Sequence, residues 1–184
     1  MCFSRQKIKA TGRVAGWAAL LLFGWLGGGC SSTPPKYITE FFMESPKSTG
    51  IEFTMPISKL VMHRQVESFA NATNVLDVAE GTVGVTVDPN QAPIPTACIL
   101  VQFDREGQRK IYQQTIAQNF GKRIFMFANG VPVAVHPITQ MVTDGPLFMF
   151  TEVPGTETNH DKFVEFIKDL HESALRVQEM KRKQ

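Results

Sequence analysis

The sequence predicts an α+β fold, an antiparallel sheet with two helices on one face, joined to β strands that precede it. Three observations carry this expectation. The runs at residues 99–101, 124–127 and 147–150 are apolar on successive positions, too short for helices and rich in β-branched or aromatic members. Asn129-Gly130 sits between two such runs, and a tight hairpin needs positive φ at both central residues, which this pair tolerates. Two stretches repeat their apolar residues at helical spacing, one after residue 104 and one after residue 159.

In order along the chain, "KYITEFFMES" and "GIEFTMPISKLVMHRQVE" read as a strand pair, with Ser45, Pro46, Ser48 and Gly50 between them. Pro56 places the second on an edge or splits it. Val75, Leu76 and Val78 form a short apolar turn, residues 83–87 a strand, and Pro89, Pro93 and Pro95 a loop. "CILVQF" at 98–103 is a buried strand. Asp104 caps the first helix and Glu106 favours its positive end. Ile111, Thr115 and Asn119 give that helix its inner stripe, and Gly121 supplies a left-handed end. The hairpin around Gly130 follows, then a connection, then the strand "PLFMFTEV". A last helix begins near Thr158 or Asn159 and buries Phe163, Ile167, Leu170, Ala174 and Val177, with "EMKRKQ" as a solvated tail.

Because successive strand residues point to opposite faces, a sheet built from continuous apolar runs needs cover on both. Two helices cover one face. The other is capped by residues 37–62 or left partly open as an apolar patch. Met43, Met55, Met62, Met126 and Met149 suit either an adaptable contact or core filling.

The first thirty residues address the chain to a membrane. Arg5, Lys7, Lys9 and Arg13 precede an apolar run at 15–26, with no acidic residue among them. That run is about a dozen residues, whereas a spanning helix needs about 20. It reads as the core of an export signal, residues 1–29, cleaved between Gly29 and Cys30. Leu26, Gly28, Gly29 and Cys30 resemble a bacterial lipoprotein signal, with Gly27 where the usual leucine stands. The resemblance implies an acylated (palmitate-bearing) Cys30, a tether at 30–36, and attachment to the membrane facing the periplasm. Ser31 favours the outer membrane.

Without its signal the chain keeps 15 basic against 17 acidic residues, a formal charge of −2. No basic stripe for nucleic acid remains. Cys30 and Cys98 are the cysteines left, so acylation of the first leaves no disulfide. Catalytic and metal motifs are absent from the pattern. His160 and His171 lie about 16 Å apart along the last helix, too far to share a metal. His63 has no ligand-spaced partner, and the histidines read as solvent-facing. Cys98 reads as a small core residue. No cofactor is expected. The least improbable polar group for an envelope enzyme is His136 with Asp144 and Glu152.

"FDREGQRKIYQQTIAQNFGKRIFMFANGVPVAVHPITQMVTDGPLFMF", with "FANATNVLDVAEGTVGV" before it, resembles the first periplasmic head domain of SecD and SecDF, membrane components that assist protein export. Gly107, Ile111, Tyr112, Thr115, Asn119, Gly121, Lys122, Gly130, Pro137, Ile138 and Gly145 carry the resemblance. It implies a head-like domain at 68–177, after a β segment at 37–67 and before a charged tail at 178–184. The family's proton-driven step uses ionisable groups within membrane helices, and no such run follows residue 29. The expectation is therefore a lipid-anchored, noncatalytic module that binds another envelope or exported protein, with neither nucleic acid nor metal as partner. The alternative is an envelope enzyme with a site near His136.

Overall fold

In the computed structural model, residues 33–86, 88 and 90–183 are described, and Pro34–Gln184 forms one compact unit. Cys30 and Gly29 lie outside the described residues. The strands are β1 (Thr39–Met43), β2 (Ile51–Thr54), β3 (Val61–Arg64), β4 (Ala70–Asn71), β5 (Val75–Val85), β6 (Ile94–Phe103), β7 (Arg123–Ala128), β8 (Val131–Pro137) and β9 (Leu147–Thr151). The α-helices are α1 (Arg105–Gln114) and α2 (His160–Arg182). Seven strands form a curled antiparallel sheet in the order β4-β1-β7-β8-β9-β6-β5, and β2 pairs with β3 separately.

The sheet is two-sided, as its continuous apolar runs demand. Phe41, Met43, Ile124 and Met126 enter the main core beneath the helices, together with Ile99, Val101, Leu147 and Met149. Both helices contribute to this core, α1 through Ile111 and α2 through Phe163, Ile167, Leu170 and Ala174. The intervening Phe42, Phe125 and Phe127 point to the opposite face. There the β2–β3 hairpin covers them. Phe53 meets Phe125 and Phe127 edge-on at 4.9 and 5.1 Å, and the Arg64 guanidinium lies 3.8 Å above the Phe42 ring.

The capping arrangement differs from the strand pair read in the sequence. β1 pairs with β4 and β7, not with β2. The second stretch folds on itself, turning at residues 55–60 where Pro56 interrupts the ladder. All five singled-out methionines pack in or against the two cores.

Local chemistry explains the remaining joints. Asn129 and Gly130 have φ of 51° and 79° and close the β7–β8 hairpin. Asp104 Oδ1 accepts the Gly107 amide at 2.7 Å, and Asn159 Oδ1 accepts that of Lys162 at 3.2 Å. α1 ends earlier than its stripe suggested, because Thr115 turns its hydroxyl back to Ile111 O and receives the Val142 amide. A short 3₁₀ turn at Ala117–Asn119 precedes Gly121, whose φ is 84°. The expected apolar turn at 75–78 and the strand at 83–87 merge into β5, the 3₁₀ turn Ala72–Asn74 coming before it. The solvated tail is the end of α2, where Lys181 Nζ reaches Asp104 Oδ2 at 3.1 Å.

Candidate functional site

The sheet leaves one long edge. β5 has β6 on one side and no strand on the other. Its pairs with β6 run from Val78↔Val101 through Gly84↔Pro95 to Val85↔Ile94. Pro95 has no N–H, so its pair with Gly84 is a non-hydrogen-bonded one, and the same phase holds at every second residue. The backbone groups of Val78, Glu80, Thr82 and Gly84 therefore face outward. Two independent contacts agree with this phase. The Val78 amide is taken by the Asp77 carboxylate at 2.7 Å, not by β6. On the far side of β9, Phe148 O faces β8 and receives His136 Nδ1 at 2.8 Å.

Helix α2 shields only the first part of this edge. Gln178 Nε2 donates to Val75 O at 2.7 Å, and His171 Nδ1 meets Asp77 Oδ1 at 2.6 Å. His160 Nε2 stands 3.8 Å from Glu80 Oε1. From Glu80 to Gly84 the outward main chain has no protein hydrogen-bond partner among the described residues. The second face beside this edge is also incompletely covered. Leu100, Phe148 and Phe150 are half-buried and lie outside the cluster capped by the hairpin. Leu100 leans across β5 at Gly81, where a Cβ would come within 2.5 Å of its Cγ. The space a side chain would take at Gly81 is thus filled by Leu100.

The polar group singled out in the sequence does not assemble. His136 is 2% exposed, within β8 rather than in a turn facing solvent. Its Nδ1 carries the proton given to Phe148 O, and Nε2 is buried without a partner. Burial holds its pKa below the ordinary histidine value. Asp144 is exposed and accepts from Thr143 Oγ1 at 3.3 Å. Glu152 follows β9, four residues beyond Phe148 or about 13 Å along the strand. Its Oε2 accepts the amides of Ile57 and Ser58 at 2.8 and 3.1 Å. His63, also expected in solvent, is mostly buried and lies 3.4 Å from Glu52. Cys98 is fully buried, and desolvation pushes its thiol pKa up, away from the reactive thiolate.

A second concavity of about 410 Å³ lies at the other end of the β7–β8 hairpin, walled by Tyr37, Pro56, Pro132, Val153 and Phe166 and including Glu152. No periodic pattern in the sequence marks it, because its walls come from five separated segments. Among the described residues no cluster of His, Cys, Asp or Glu is placed to hold a metal, and no helix is long and apolar enough to cross a membrane.

No family model matches the chain, and no curated protein does. Among solved structures it is similar to the membrane component SecDF that enhances protein export, at a TM-score of 0.48 and 17% identity over 93% of this chain and 71% of that one. It is also similar to SecDF in its super-membrane-facing form, at 0.48 and 16% over 91% of this chain, spanning 21% of that one. Likeness at this level assigns neither activity nor partner.

Proposed function

We propose that the protein is a lipid-anchored, noncatalytic binding module of the bacterial envelope that takes up an extended segment of another protein along β5. The observation supporting this reading is the run of unpartnered outward backbone groups at Glu80, Thr82 and Gly84. An added strand completes those hydrogen bonds. Its side chains on one face lie next to Gly81 and the Leu100 side chain that leans over it, extending a sheet face that the β2–β3 hairpin covers only in part. Affinity then comes from main-chain pairing, and selectivity from the apolar face around Leu100. Such a site suits a chain in transit or under assembly, which is the partner class suggested by the export-domain resemblance in residues 68–153.

The test is a labelled peptide of alternating valine and lysine, titrated into the full chain and followed by fluorescence anisotropy. Thr82→Pro removes an outward N–H while leaving the β6 ladder intact, and is expected to weaken binding by about tenfold or more, the loss of one to two main-chain bonds. Thr82→Ala keeps the backbone and is expected to bind within about twofold of the parent. Equal affinity of all three proteins, or no binding by the parent, defeats the strand-addition reading.

A further inference from the structure

We infer that the cavity beside the β7–β8 hairpin is a binding site for a small organic cation, a primary amine on an apolar body. The walls are almost entirely apolar, contributed by Tyr37, Pro132, Val133, Val153 and Phe166, and the volume of about 410 Å³ falls in the range of small-molecule sites. One carboxylate is set into them. Glu152 is only 8% exposed. Its Oε2 accepts two amides from the β2–β3 turn, which fix the side chain in place. Its Oε1 has no hydrogen-bond partner, and yet is not among the sealed polar atoms, so it opens onto the cavity. No lysine, arginine or histidine lies within ion-pair distance of it among the described residues.

A carboxylate set among apolar walls gains most from a paired cation that displaces the water in front of it. Here the protein supplies half of its hydrogen bonding and no countercharge. The complement to this lining is a cation with at least one N–H donor, carried on a body that replaces water against the aromatic and proline walls. Asn129, the amide side chain at the rim, is already committed, with Oδ1 accepting the Ile38 amide and Nδ2 donating to Lys36 O. Glu152, the one charged residue of the lining, therefore selects the ligand's polar end. A carboxylate ligand is excluded by repulsion, and a neutral one gains only the apolar contact. This site is separate from the β5 edge and does not depend on the strand-addition reading.

The experiment uses three probes that share one phenethyl body, on the full chain by calorimetry: phenethylammonium, 2-phenylethanol and 3-phenylpropionate. The amine is expected to bind about tenfold tighter than the alcohol, and the carboxylate not to bind. Glu152→Gln is expected to bring the amine down to the alcohol's affinity. Val131→Trp, placed at an exposed position of the lining, is expected to abolish binding of both, and it tests the site even if Glu152→Gln loosens the β2–β3 turn. Amine and alcohol binding equally, amine binding that survives Val131→Trp, or no binding by any probe overturns the inference.

Discussion

At the scale of single residues, Gly107 shows how a glycine in a helix discloses packing. Glycine there costs about 1 kcal/mol against alanine, so the sequence points to a close approach. A Cβ at this position would stand 2.9 Å from both Asn74 Cβ and Phe103 Cδ1. Neither neighbour can swing away, because Asn74 closes the 3₁₀ turn and Phe103 is locked edge-on against Phe41 at 5.0 Å. Gly107→Leu is therefore expected to cost about 1 to 3 kcal/mol through overpacking, and Gly107→Ala less, since better helix propensity offsets part of the strain. Urea melts of the two variants measure this, and midpoints equal to that of the parent would show that α1 does not pack through residue 107. Glu152 illustrates the opposite case. A single acidic residue after a strand carries no signature in the sequence, and its burial arises from a turn about 95 residues away in the chain.

At the scale of elements, legibility followed range. The β7–β8 hairpin and the start of α2 were readable because their determinants, Asn129-Gly130 and the cap at Asn159, are local. The partner of β1 was not. Its side-chain pattern demands cover on both faces but does not say which strand lies alongside, and it inserts between β4 and β7, more than 80 residues apart from the latter. The free edge at β5 was equally hidden, since an outward N–H has no sequence signal apart from Pro95 across the ladder. The cap on the second face is thus one element, β2–β3, and can be removed alone. Ser45 N and His63 O are 2.9 Å apart, so a Gly-Ser-Gly link can replace residues 46–62 without disturbing β1. Removal strips Phe53 and Met55 from Phe125 and Phe127. The expected result is dye binding or self-association and a lower melting temperature, by a loss of about 2 to 5 kcal/mol for the buried side chains. A monomer that binds no dye and melts like the parent would mean that this face needs no cover.

At the scale of the whole molecule, the described unit enters the sheet at one side and offers its free edge at the other. The chain arrives at β1 after Lys36, whose ammonium pairs with Asp169, while Asn129 grips the backbone on either side of Tyr37. β1 and β5 are five places apart in the strand order, yet the sheet curls so that Phe41 of β1 meets Phe103 of β6 at 5.0 Å and Tyr37 N donates to Ser173 Oγ of α2 at 3.0 Å. If the proposed signal is removed, the formal charge is −2, electrostatic attraction to anionic lipid supplies no second anchor, and retention would fall on the acyl chains proposed at Cys30. One chain binds only marginally and several bind stably. Cys30→Ala is accordingly expected to move the protein from the membrane to the soluble envelope fraction, or to leave it as uncleaved precursor, with the fold of residues 34–184 and peptide binding at β5 retained. Cell fractionation and mass spectrometry of the mature N-terminus check this together. An unmodified Cys30, or a mature chain that starts elsewhere, would remove the lipid anchor from the proposal while leaving the β5 edge to be judged by its own titration.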